Sequence, residues 1–80
     1  MRALVHVALK KTVLDPQGQT IHRALQGLGY SGVRDVRQGK LFEIELDGAS
    51  EADARRQIEQ MAREVLTNPV IEEFTYRLEE

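Results

Sequence analysis

The stretch Thr12–Tyr30, TVLDPQGQTIHRALQGLGY, holds one helix with both ends spelled out, and its reading decides what the rest of the chain must supply. Asp15 can accept hydrogen bonds from the first free backbone N–H groups. Pro16 suits the first helical position, because its φ is already fixed and its missing N–H is no loss there. The spacing therefore predicts a helix starting at Asp15-Pro16. Ile21, Ala24, Leu25 and Leu28 recur at i, i+3, i+4 and i+7 and make one apolar stripe, while Gln17, Gln19, Arg23 and Gln26 point elsewhere. Gly29 can take the left-handed conformation that closes a helix, and Tyr30 can fold back on it as an apolar stop. The expectation is a helix that covers a sheet and carries no catalytic equipment.

The sheet is sought on either side of it. Ala3, Val5, Val7 and Leu9 alternate with Arg2, Leu4, His6, Ala8 and Lys10, the period of a strand. Its second face, with Leu4 and Ala8 beside His6, is half apolar and suggests contact with another chain. After Ser31-Gly32, the stretch VRDVRQGK reads as a bulged or late-starting strand, and Gln38-Gly39 as a hairpin needing positive φ. LFEIEL is the cleanest strand, with Phe42, Ile44 and Leu46 on one face and Glu43 and Glu45 on the other. Asp47-Gly48 ends it.

Ser50 then reads as the N-cap of a second helix, with Asp53 in the capping-box position and Glu51 near the positive end of the helix dipole. Ala54, Ile58, Met61, Ala62, Val65 and Leu66 form its apolar stripe, and Arg55, Glu59 and Arg63 a solvated face. Asn68, able to adopt a left-handed conformation, and Pro69, unable to continue a helix, stop it. VIEEFTYRL closes the chain as a strand with Val70, Phe74, Tyr76 and Leu78 on one side. The order βαββαβ predicts an α+β fold over residues 1–80: a ferredoxin-like two-layer sandwich, with a four-stranded antiparallel sheet and two helices on one face. The opposite face, with Leu4, Ala8, Leu41 and Ile71, is left for a dimer contact.

Eighty residues make one domain, near the lower limit at which a single core offsets chain entropy, and self-association is the natural way to bury more surface. There is no cysteine, so no disulfide or thiolate metal site can staple it. The formal charge is −2 with both signs scattered, which gives neither nucleic acid nor an anionic membrane a basic stripe to bind. No apolar run approaches the roughly 20 residues of a membrane span, and the N-terminus lacks a cleavage pattern, so a cytoplasmic protein is expected.

Chemistry is hard to find. His6 and His22 have no second histidine at ligand spacing and read as surface or interface residues. Asp15 is explained as a cap, and Glu43, Glu45, Glu72 and Glu73 as a solvated strand face. GLGYSG follows a helix where a phosphate-binding loop would precede one. No serine or cysteine nucleophile has a base partner.

Three pieces with their spacing, VLDPQG at Val13–Gly18 leading into ALQGLGY, VRDVRQGK at Val33–Lys40, and NPVIEEF at Asn68–Phe74, resemble PurS, the small subunit of phosphoribosylformylglycinamidine (FGAM) synthase. The likeness spans essentially the whole chain. It implies a role in de novo purine biosynthesis, as a dimer or dimer of dimers that holds an ATP-dependent synthetase subunit and a glutaminase subunit together for ammonia transfer. It also implies that the catalytic groups lie in those subunits, with ATP and magnesium on the synthetase and no catalytic, metal or cofactor residue in this chain. Asp15, Pro16 and Gly18 match the helix-start motif, Asp35, Arg37, Gly39 and Lys40 the hairpin motif, and Asn68 and Pro69 the last one. Capping and turn geometry account for Asp15, Pro16, Gly39, Asn68 and Pro69. Arg37 and Lys40, with Asp35, are therefore the candidates for contact with a partner subunit, Arg37 as a planar fork for a carboxylate and Lys40 as a mobile charge. The alternative from another class is an ACT-like regulatory domain, which shares the strand order and would receive a small molecule at the loop after the first strand. Pro16, locked into the helix, leaves less room for one.

Overall fold

Strand β1 (Arg2–Leu9) occupies the middle of the sheet, and the reason lies in its odd-numbered residues. Ala3, Val5 and Val7 are fully buried, a state only a strand with neighbours on both sides and a layer above can offer. β2 (Gly39–Glu45) pairs antiparallel on one side and sets Ile44 opposite Ala3 and Phe42 opposite Val5. β3 (Glu72–Glu79) pairs antiparallel on the other, with Leu78, Tyr76 and Phe74 opposite Ala3, Val5 and Val7. The layer above is α2 (Glu51–Met61), whose Ala54 and Ile58, with Ala62 just beyond, are completely buried. Phe42, Ile44, Leu46, Met61, Leu66, Phe74, Tyr76 and Leu78 close around this cluster. Each fully buried Val or Ile contributes about 1.5–3 kcal/mol by leaving water. These facts come from a computed structural model, which describes residues 1–48 and 50–80.

Both helix starts are where the sequence places them. Asp15 caps α1 (Pro16–Gly27) by accepting from the Gly18 N–H at 2.9 Å, with Pro16 in the first position. Ser50 caps α2 by accepting from the Asp53 N–H at 3.2 Å. The Asp53 carboxylate takes Arg56 at 2.9 Å, and Glu51 pairs with Arg55 at 2.8 Å. At the end of α1, Gly29 has φ +100°, its N–H reaches the Gln26 carbonyl and the Tyr30 N–H reaches that of Leu25, the paired bonds of a glycine-closed helix. α2 runs on into a π-helical turn, Ala62–Leu66, where the Thr67 N–H and hydroxyl both donate to the Ala62 carbonyl. One extra residue per turn shifts the phase of the stripe, so Leu66 stays partly buried and Val65 is turned out to 78% exposure.

Several expectations need correction. The sheet has three strands in the order β2-β1-β3, with no fourth strand among the described residues, so the α+β character holds while the four-stranded ferredoxin-like sandwich is not what forms. Of VRDVRQGK, only Gly39 and Lys40 are in a strand. The backbone before them is used elsewhere: the Val33 carbonyl meets His22, the Val36 N–H meets Asp35, and the Gln38 N–H meets Asp15. Gly39 makes no hairpin turn and has no positive φ; it lies in the ladder opposite Ala8. Asn68 does not adopt the left-handed conformation either. Its side chain accepts from the Val70 N–H at 3.1 Å while its carbonyl takes the Ile71 and Glu72 N–H groups. Val70 is thereby left in the turn, 77% exposed, outside β3.

The largest correction concerns α1. The sequence predicts that it covers the sheet, yet only Gly18 of its residues is buried and none belongs to the core cluster. Ile21 is 39% and Leu28 75% exposed. The helix extends the molecule instead: the Cα extents are 49 × 27 × 14 Å and the radius of gyration is 16.0 Å. A compact chain of this length would have about 12 Å.

Candidate functional site

The two motifs that periodicity left unexplained, DPQG and RQGK, meet at the foot of the α1 arm. Asp15 is buried, and its second carboxylate oxygen accepts from the Gln38 N–H at 2.7 Å while the first caps Gly18. These bonds, Gln38 first and Gly18 second, hold its pKa below the ordinary carboxylate value against the opposing cost of burial. A Cβ on Gly18 would strike the Val36 carbonyl oxygen and come within 2.7 Å of the Asp15 carboxylate. Only glycine lets the two segments close.

Arg37 ties the same place from outside, donating from one guanidinium nitrogen to the Lys10 carbonyl at 3.0 Å and the Val13 carbonyl at 2.9 Å. Further along, His22 Nε2 lies 2.8 Å from the Val33 carbonyl oxygen. A carbonyl only accepts, so this ring nitrogen carries the proton. Gly39 is constrained as well. A Cβ there would lie 2.8 Å from both the Val7 carbonyl oxygen and His6 Nε2, so close strand approach accounts for this glycine.

Beside the foot is a cleft of about 270 Å³ lined by Val7, Leu9, Asp15, Gln17, Gln38, Gly39, Lys40 and Glu72. Its charged groups are already engaged. Lys40 stands 3.5 Å from Glu72 and 5.9 Å from the centre of the Phe42 ring, and both Asp15 oxygens serve backbone N–H groups. The loop where an ACT-type ligand would sit has its Lys10 and Val13 carbonyls filled by Arg37. Among the described residues no group of three His, Cys, Asp or Glu is arranged to hold a metal ion, and no buried side-chain nitrogen or oxygen lacks a partner. No described helix is long and apolar enough to cross a membrane.

The structure thus brings together Asp15, Pro16, Gly18, Arg37, Gly39 and Lys40. Asp35 stays exposed outside, its carboxylate accepting from the Val36 N–H, and Asn68-Pro69 forms the turn leading into β3. Sequence reasoning missed the parts played by His22 and Gln38, because neither a ring bonded to a distant carbonyl nor a backbone N–H leaves a pattern in composition.

The family model described as PurS: Phosphoribosylformylglycinamidine (FGAM) synthase matches residues 2–80. The chain belongs to the PurS family. It is accordingly a PurS-type subunit of FGAM synthase, an enzyme of purine biosynthesis. The PurS subunit of Mycobacterium leprae is 47% identical over 92% of this chain and 90% of its own, and that of Methanocaldococcus jannaschii 38% identical over 98% and 94%. A crystal structure of the Methanocaldococcus jannaschii PurS, one of the subunits of formylglycinamide ribonucleotide amidotransferase, matches with a TM-score of 0.88 at 37% identity, covering 99% of this chain and 95% of that one. The structure of PurLQS from Thermotoga maritima contains a chain that matches with a TM-score of 0.87 at 30% identity, covering 95% of this chain and 93% of that one. The overall fold is therefore shared with relatives at 30–37% identity.

Proposed function

We propose that this PurS-family chain is a non-catalytic adaptor: it associates with itself, as a dimer or dimer of dimers, and bridges the synthetase and glutaminase subunits of FGAM synthase so that ammonia passes between them in the cytoplasm. The observation that carries the reading is the α1 arm. It is capped at both ends, so it is an ordered helix, and yet its stripe is left largely open, with Leu28 75% and Ile21 39% exposed, Leu14 and Tyr30 at 63% and 59% beside it, and no apolar residue of the stripe fully buried. Apolar surface arranged this way marks a contact with another chain.

The open face of the sheet supports the same reading, with Leu41 58% exposed among Leu4, His6, Thr75 and Arg77. So does the polar chemistry at the foot of the arm, which is consumed in holding the chain together. In this reading ATP and magnesium belong to the synthetase subunit, and Lys40 and Asp35, both exposed, meet a partner subunit. Arg37 meets one only with the part of its guanidinium that the loop carbonyls leave over. Reconstitution tests the reading. Glutamine-dependent synthesis should need this chain beside the synthetase and glutaminase subunits, and ammonia-dependent synthesis should need it much less. Glutamine-dependent turnover unchanged in its absence would end the adaptor reading.

A further inference from the structure

From the contacts at the foot of α1, we infer that Arg37 and Asp15, with His22 as a second tie, act as positioning residues that fix the angle of the α1 arm to the sheet and so present its apolar stripe for assembly. The inference rests on the adaptor reading for its purpose but on geometry for its substance. A helix is ordinarily oriented by burying its apolar stripe against the rest of the molecule. α1 buries no large side chain, so that source of orientation is missing.

What remains is polar and concentrated. Asp15 joins the first turn of α1 to the entry of β2 through Gly18 and Gln38. Arg37, next to Gln38, holds the loop that leads into α1 by the Lys10 and Val13 carbonyls. His22, about two turns beyond Asp15 along the helix, ties it to Val33 in the return segment. Gly18 lets the Val36 carbonyl lie directly on the first turn. Three side chains thus link the outgoing and returning backbone at three points, which is enough to fix a direction without a packed layer. The arm carries no carboxylate between Pro16 and Arg34, so no acidic side chain along it competes for the guanidinium.

Substitution of Arg37 should therefore loosen the arm and leave the core intact. Amide hydrogen exchange on the full chain reads this directly. In Arg37→Gln, exchange in Pro16–Gly27 should speed up about tenfold or more through loss of two hydrogen bonds, while β1 and α2 keep their wild-type protection. Arg37→Lys keeps the charge but places one flexible ammonium against two carbonyls, and should fall between. His22→Phe keeps the ring without the donor, lies outside the core, and should accelerate exchange in the same helix.

Titrating His22→Phe, at a residue given no partner contact, into the synthetase and glutaminase subunits should then show that more chain is needed for half-maximal glutamine-dependent turnover, by about tenfold, with the same turnover at saturation. Unchanged α1 exchange in both Arg37→Gln and His22→Phe would overturn the clasp, as would equal loss of protection in β1 and α2. A loosened arm with an unshifted titration would overturn the positioning role and leave the adaptor reading standing. If wild-type chain proved dispensable for turnover, the adaptor reading would fall and the purpose of the clasp with it.

Discussion

The two helices of this chain start from similar sequence material and end in opposite circumstances. Each has a side-chain cap, an apolar stripe at helical spacing and a defined stop. α2 lays Ile58 and the following Ala62 on Ala3, Val5 and Val7 with no exposure at all, whereas α1 leaves Leu28 three-quarters exposed and buries only a glycine. The difference teaches that capping and periodicity establish that a helix exists, while its destination is decided by what else competes for the covering position. Here the sheet has only three strands, one helix already fills the layer above the central one, and the return segment 31–38 makes no strand that would widen the sheet.

If that contrast is right, mutations in the two regions should separate cleanly. The largest effect belongs to Ile58→Ala, which opens a cavity where the side chain is fully buried. We expect a loss of about 2–5 kcal/mol, seen as a lower urea midpoint with all probes moving together. Gly18→Ala comes next, since its methyl group has no space between the Val36 carbonyl and the Asp15 carboxylate. About 1–3 kcal/mol is expected, and limited proteolysis should find cleavage concentrated in the arm before the core is lost.

A smaller effect should appear with pH. The Asp15 carboxylate is held below its ordinary pKa by the Gln38 and Gly18 N–H groups, so its contribution is complete above the unfolded-chain value of about 3.9 and is lost as pH falls through the lower folded-state value. Asp15→Asn should therefore flatten the acid side of a stability profile measured below about pH 4. Glu79, whose pKa is lowered chiefly by its hydrogen bond from Arg2, would account for part of the slope that remains. Smallest in stability is Leu28→Ser. Its side chain is exposed in the protomer, so chemical denaturation at high dilution should move by no more than about 0.5 kcal/mol, and its consequence should appear in association.

Much of the fold was legible because it rests on local rules. The Asp15-Pro16 start, the Gly29 stop, the Ser50 cap and the apolar faces of Phe42-Ile44 and Phe74-Tyr76-Leu78 all stand as the periodicity implies. The missing fourth strand has a specific origin. Val33, Val36 and Gln38 look like a strand that alternates badly, and the reason for the bad alternation is that their backbone groups serve His22, Asp35 and Asp15. Nothing in a local pattern distinguishes a strand lacking a neighbour from a strap bonded to a helix. At Gly39 the local pattern suggests conformational freedom, whereas the strand ladder requires its lack of a Cβ. At the foot of the arm, Asp15, Gly18 and Arg37, which the resemblance carries as separate motifs, lie together through bonds that no local pattern shows.

Sedimentation velocity on the wild-type chain and on Leu28→Ser at micromolar concentration tests the central claim most directly, that α1 is an arm kept free for another chain. Wild type should sediment as a dimer or larger species and Leu28→Ser should shift towards the monomer with its core stability intact. A wild-type chain that remains a monomer at that concentration, or a Leu28→Ser variant that associates as wild type does, would contradict it.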